Sequence, residues 1–206
     1  MIDWSGTMEY SAGMVSRLFW LAETRKTAEL MVQGKTIAEI RALAVDENLY
    51  QVRTAKRAKR IAGATYQCVS ALPADLWEKL ITCDLASAKL LVLLSIVKTD
   101  LLFFEFMYTV YKPAVVLGER VLSQRAINVF FDQKIVQSEV VAAWSEGTIC
   151  NLKQAYTKLL VEAGMLDSAK EKRISVPLVD YRLQERLIQT GFGTYLGTLT
   201  GDDNHG

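Results

Sequence analysis

Histidine and cysteine are scarce in this chain, and their scarcity excludes several kinds of catalytic and metal site. The one histidine, His205, lies in the C-terminal sequence GDDNHG, so no His-based triad or His-based metal site is expected in the core. Cys68, Cys83 and Cys150 are widely spaced and form no Cys-x-x-Cys pair, which argues against zinc and redox chemistry. We therefore expect no metal, no cofactor and no enzymatic activity, because no nucleophile–base pair or ligand set stands out.

Proline is also rare, and no apolar run is long enough to span a membrane. Pro73, Pro113 and Pro177 each lie near a boundary between predicted helices, and the sequence between them favours helix formation. The most apolar region, residues 85–117, is interrupted by charged residues, and its central uncharged run, Leu90 to Val97, is far shorter than the ~20 residues of a spanning helix. We predict an all-α globular protein with apolar core helices.

Secretion signals and disulfide pairs are lacking as well. The N-terminal sequence MIDWSGTMEY carries early acids and has no apolar signal segment. Three cysteines without an evident pairing are most simply free thiols, as in a reducing compartment. Both features predict a cytoplasmic protein.

Two regions are predicted, residues 1–112 and residues 113–206, with the boundary at Pro113. In the first region, Thr36 precedes a short helix and Glu39 follows three residues later, the spacing that a capping box requires. A turn and a second, basic helix come next. This order is typical of a helix-turn-helix unit, although the turn is longer than the usual three residues.

Positive charge is concentrated in that basic helix, in a chain whose formal net charge is only +1. Between residues 51 and 60 there is no acid, and the cations are Arg53, Lys56, Arg57, Lys59 and Arg60. All except Lys59 follow the i, i+3, i+4, i+7 spacing of one helical stripe, and the opposite face is predicted to hold Ala55, Ala58 and Ala62. Such a face suggests an anionic partner, usually nucleic-acid phosphate; the alternative is a solvated helix face.

The second region repeats this order of helices with different side chains. A helix is predicted from a Thr148 cap to Gly164, with candidate DNA-contacting side chains Asn151, Lys153, Gln154 and Lys158. Asn and Gln can pair bidentately with adenine in a major groove. A short hairpin with a basic tip should follow, carrying Lys170, Lys172 and Arg173. Three helices followed by a basic hairpin are typical of a winged helix. The alternatives are an ordinary polar surface for the helix and a solvated turn for the hairpin.

Several longer segments resemble one protein family. They are YSAGMVSRLF (Tyr10–Phe19), ETRKTAELMVQGKTIAEIR (Glu23–Arg41), ENLYQVRTAKRAKRI (Glu47–Ile61) and TICNLKQAYTKLLVEAGML with ISVPLVD near the C-terminus. They are similar to the BrxA family of BREX bacteriophage-exclusion systems. The resemblance implies an all-α, non-enzymatic protein with helix-turn-helix-like units. It also implies binding of double-stranded DNA and a cytoplasmic role beside a methyltransferase and other BREX components.

The residues and the resemblance together predict a protein that binds double-stranded DNA within a phage-exclusion system. The basic helix would supply attraction to phosphate, and any sequence preference would come from the C-terminal helix. Two alternatives remain open. The basic face could dock an acidic partner in a protein–protein adaptor of the same system, or it could bind RNA.

Overall fold

A computed structural model describes residues 9–202, and His205 therefore lies outside the described residues. Within them the chain is helical and has no named β-strand, which confirms the predicted all-α fold. Residue contacts divide the chain into two compact units. One is Phe19–Thr99, here called the α3 unit; the other, the α10 unit, joins residues 9–18 to residues 100–202. The units do not follow the predicted division between residues 112 and 113.

The α3 unit consists of α1 (Leu21–Val32), α2 (Ile37–Asp46), α3 (Ala55–Ala71), α4 (Asp75–Thr82) and α5 (Leu85–Thr99). The predicted capping box at the start of α2 is confirmed. Glu39 N donates to Thr36 Oγ1 at 3.3 Å, and Thr36 N donates to Glu39 Oε2 at 2.8 Å. The hydrogen bond from the Thr36 backbone lowers the pKa of Glu39, so the carboxylate that caps the helix stays charged.

The first long helix begins later than its sequence pattern predicts. The apolar spacing predicts one helix from about Met14 to Gln33, but α1 begins at Leu21. Trp20, at φ 45° and ψ 45°, adopts a left-handed conformation that a right-handed helix cannot continue. Residues 13–16 form a separate 3₁₀ turn that belongs to the α10 unit.

The α10 unit follows the 3₁₀ turn with α6 (Leu101–Phe106), a π-helical segment (Met107–Tyr111), α7 (Lys112–Val116), α8 (Gln124–Gln137), α9 (Glu139–Ala142), α10 (Glu146–Ala163), α11 (Tyr181–Gln189) and α12 (Gly193–Thr200). The predicted apolar core is present in both units, since α5 and α6 are largely buried. The predicted cap of α10 at Thr148 is wrong, because Ser145 Oγ accepts from Thr148 N at 3.2 Å. Its predicted stop at Gly164, with φ 84°, is confirmed.

Three extended segments of the α10 unit lie side by side. Arg173 lies antiparallel to Val121, and Ile174 lies antiparallel to Leu166. The backbone N–H of Leu122 donates to the carbonyl of Lys172 at 2.9 Å, which ties the segment before α8 to the turn after α10. The chain therefore doubles back after α10 through isolated bridges, where the sequence predicts a short hairpin.

Tyr156 lies at the centre of an aromatic cluster in the α10 unit. Its ring centroid is 4.8 Å from that of Phe103, 5.2 Å from Phe106 and 5.6 Å from Phe131. Its hydroxyl is buried and has no hydrogen-bond partner among the described residues. A buried hydroxyl of this kind loses its hydration without compensation.

We expect Tyr156→Phe to stabilise the protein by about 1 kcal/mol, because it removes the unsatisfied hydroxyl and keeps the ring. Urea denaturation would measure the change. Tyr111→Phe is the matched control: its hydroxyl is also buried but donates to the carbonyls of Met165 and Ser175, so its loss should destabilise. A less stable Tyr156→Phe protein would contradict the expectation.

Candidate nucleic-acid interface

Buried hydroxyl groups hold α3 and the connection before it against α1. Thr27 Oγ1 lies 2.7 Å from Thr65 Oγ1 of α3 and 2.8 Å from the hydroxyl of Tyr50, in the connection that leads to α3. Lys26 Nζ donates to the carbonyl of Leu49 at 3.2 Å. These contacts fix where the basic helix emerges from the α2–α3 connection.

The α2–α3 connection, residues 47–54, is ordered by its own hydrogen bonds. Asn48 lies in the left-handed region at φ 49°, and its Oδ1 accepts from Val52 N at 2.9 Å. Asparagine tolerates this conformation better than most residues because its short side chain bonds the local backbone. Thr54 then caps α3 by accepting from Arg57 N at 3.3 Å.

The two faces of α3 differ as the spacing predicts, with two corrections. Ala58 and Ala62 are buried, and the cations Arg53, Lys56, Arg57, Lys59 and Arg60 are exposed. Ala55 is exposed rather than buried, because it is the first residue of the helix. Arg53 precedes the Thr54 cap, so it lies beside the helical stripe and not on it.

No acid lies within ion-pair distance of these five cations among the residues that the structure describes. Within residues 9–202, Arg60 alone of the five contacts an aromatic ring, with its guanidinium carbon 6.0 Å from the ring centroid of Trp20. The N-terminal end of α3 adds the partial positive charge of the helix dipole to the same place. We call this surface, formed by Arg53, Lys56, Arg57, Lys59 and Arg60, the basic face.

The predicted contact residues of α10 have different surroundings. Asn151, Gln154 and Lys158 are exposed, and Lys158 lies 3.8 Å from Glu162. Lys153 lies two residues after Asn151 and so projects from a different side of the helix. Its Nζ donates to Asn128 Oδ1 of α8 at 3.0 Å. The sequence alone leaves Lys153 as one more candidate for phosphate contact, whereas in the fold its charge is directed toward α8.

A groove of about 1050 Å³ lies between α8, α10 and the turn before Arg173. It brings together several predicted residues, namely Lys153, Gln154, Lys158 and Lys172, and it also exposes Cys150. Two polar residues of α8 that are not among the predicted contacts, Gln124 and Asn128, line the opposite wall. Their i, i+4 spacing is visible in the sequence, but only the packing of α8 beside α10 places them in the groove.

The cations of the turn after α10 are partly neutralised. Arg173 lies 3.3 Å from Asp167 and 3.7 Å from Glu171, whereas Lys170 is exposed and Lys172 lines the groove. Asp132 and Glu146 also line the groove, so it is less positive than the basic face. Its polar side chains suit hydrogen bonding more than general attraction of anions.

The described residues contain no group of three or more His, Cys, Asp or Glu side chains that could hold a metal ion. Over residues 9–202, no helix combines the length and the apolar character that crossing a membrane requires.

A model of the BrxA family matches residues 8–191 of the sequence. The chain belongs to the BrxA family. One BrxA relative, the BREX protein BrxA of Bacillus cereus (strain H3081.97), is 38% identical over 194 residues, which cover 94% of this chain and 97% of that protein. The resemblance predicted from the sequence is therefore confirmed.

The same fold occurs in a solved structure of low sequence identity. The crystal structure of an uncharacterized protein from Magnetospirillum magneticum is 19% identical to this BrxA-family chain and superimposes with a TM-score of 0.82. The match covers 95% of this chain and 100% of that chain. At this identity the likeness shows a shared fold.

Proposed function

We propose that this protein is a non-enzymatic, double-stranded DNA-binding component of a BREX phage-defence system, acting in the cytoplasm beside other BREX proteins. The observation that carries the proposal is the basic face, whose five exposed cations have no acidic partner among the described residues. Family membership supports the BREX context. The whole chain has a formal net charge of only +1, so the positive surface is local.

The chemistry of the basic face suits the DNA backbone. Lys and Arg side chains that neutralise phosphates release condensed counterions, and this release makes binding depend on salt. If four of the cations contact phosphates, affinity should fall by about 150-fold between about 50 and about 200 mM salt. These contacts position a protein on a duplex without reading its sequence.

The groove beside α10 is the proposed place for sequence-dependent contacts. The succession α8, α9 and α10, followed by a turn that pairs back with the segment before α8, supports a winged helix-turn-helix arrangement. Gln154, Gln124 and Asn128 offer amides of the kind that pair with base edges in a major groove. The α2–α3 pair would form the other helix-turn-helix-like unit and would supply phosphate contacts.

Competition binding at fixed salt tests the proposal. Labelled duplex DNA should bind, with an affinity that falls steeply as salt rises, and unlabelled duplex should compete better than structured RNA of equal length. Preferential competition by RNA would favour an RNA-binding module. No nucleic-acid binding, together with capture of a purified acidic BREX protein, would favour the adaptor.

Cys150 offers a direct test of the α10 groove. Its thiol is exposed and lines the groove, whereas Cys83 of the α3 unit is half-buried and Cys68 is buried. We expect saturating duplex DNA to slow alkylation of Cys150 by about ten-fold or more, because a bound duplex would cover the groove. Peptide mass spectrometry would follow each cysteine, with Cys83 as the internal control. Equal rates at Cys150 with and without bound DNA would exclude the groove from the interface.

A further inference from the structure

Residues 10–18 lie along one flank of α10, inside the surface proposed to meet DNA. The 3₁₀ turn Gly13–Ser16 packs on α10, and Met14 is buried. Val15, Arg17 and Leu18 form one wall of a cavity of about 350 Å³, whose other wall includes Asn151, Gln154 and Lys158. We call residues 10–18 the strap.

The strap is held at its start by a charged contact. The Tyr10 hydroxyl donates to the Glu105 carboxylate and lies 2.9 Å from Oε2 and 3.1 Å from Oε1. Lys134 Nζ lies 2.8 Å from the same Oε2. Lys134 Nζ also lies 5.7 Å from the centroid of the Tyr10 ring. Hydrogen bonds to charged groups are stronger than those between neutral groups, so this cluster is a latch rather than a loose surface contact.

Gln154 and Lys158 line both this cavity and the larger groove. They therefore form the ridge of α10 between its two flanks. An α-helix with its side chains is about 10–12 Å wide, close to the ~12 Å width of the major groove of B-DNA. A second chain segment packed along the helix would meet the phosphate backbone before the ridge reached the bases.

We propose that the strap gates α10: when the Tyr10–Glu105–Lys134 latch is closed the ridge is kept from the major groove, and release of the strap admits the duplex. This inference rests on the proposed DNA-binding function and adds a regulatory element to it. The apparent affinity for DNA then depends on the fraction of molecules with the strap released. The latch is assembled from residues 95 and 124 positions apart in sequence.

Two variants release the strap at different points. Tyr10→Ala removes the hydroxyl and ring from the latch but leaves the Lys134–Glu105 pair, so the fold is retained. Met14→Ala weakens the packing of the 3₁₀ turn. Tyr181→Ala is the control, since Tyr181 is 73% exposed and lies at the start of α11.

A reporter thiol, Ala155→Cys in a Cys150→Ser background, lies under the strap. Its alkylation rate measures release of the strap without DNA.

Both release variants should raise the alkylation rate of the reporter by about ten-fold, because hydrogen bonds to a charged group, or buried packing, are lost. They should also bind duplex DNA several-fold more tightly, while Tyr181→Ala should match the wild-type protein in both measurements.

An unchanged reporter rate would overturn the latch. A faster reporter with unchanged or weaker DNA affinity would overturn the gate and assign the strap a structural or DNA-contacting role. If no variant binds duplex DNA, the proposed function itself is overturned, whatever the reporter shows.

Discussion

Lys56→Glu/Arg57→Glu should weaken binding to duplex DNA by at least about ten-fold and make the salt dependence shallower, with a log–log slope smaller by about two. Both side chains are exposed in the first turn of α3, on the basic face. Reversal replaces two phosphate contacts with repulsion. Acidic residues in the first turn favour the helix dipole, so the variant should keep α3 folded.

The control for this variant carries the same change in net charge at exposed sites outside the proposed interface. Lys79→Glu/Arg182→Glu meets that requirement, since both residues are exposed and neither lines the α10 groove. Titrations of labelled duplex at several salt concentrations, with thermal unfolding beside them, would compare the two. If both variants lose affinity equally, attraction comes from net charge and not from the basic face. If neither loses affinity, α3 does not contact DNA.

The second large effect is a loss of folding stability when the latch loses Lys134. Lys134→Met should lower the free energy of unfolding by about 3 kcal/mol, because it leaves the Glu105 carboxylate unpaired in a largely buried place. The side chains of Lys134 and Glu105 are only 13% and 23% exposed. Urea denaturation would measure the loss.

The double variant Lys134→Met/Glu105→Gln should regain most of that stability, because a neutral amide can still accept from the Tyr10 hydroxyl. Lys158→Met is the matched control, since its contact with Glu162 is 3.8 Å long and exposed. It should cost less than about 1 kcal/mol. Similar losses from Lys134→Met and Lys158→Met would show that the latch is only a surface ion pair.

Features set by neighbouring residues could be predicted from the sequence. The capping box at Thr36 and Glu39, and the stop at Gly164, depend on contacts within a few residues, and the structure confirms both. The buried and charged faces of α3 follow from the helical period, so Ala58 and the exposed cations are where the spacing places them. The errors at Ala55 and Arg53 concern the end of the helix, where a periodic pattern carries little information about the cap.

The candidate interface of the α10 unit was only partly predictable. The exposed residues Asn151, Gln154 and Lys158 follow from helical spacing. Their surroundings do not, because Gln124 and Asn128 reach the same groove through packing of α8 beside α10. Lys153 shows what helical spacing does not reveal. Its position allows a phosphate contact, but in the fold its ammonium group donates a hydrogen bond to Asn128 Oδ1.

The all-α class, the family and the concentration of positive charge on one helix follow from composition, motif similarity and local spacing, which are all properties of the sequence. The packing of residues 14–18 on α10, in place of the predicted first helical turns, depends on tertiary contacts. The reason is that Tyr10 is held by Glu105 and Lys134, residues distant in sequence whose contact depends on how α6 and α8 are placed. Residues 9–18 accordingly belong to one compact unit with residues 100–202.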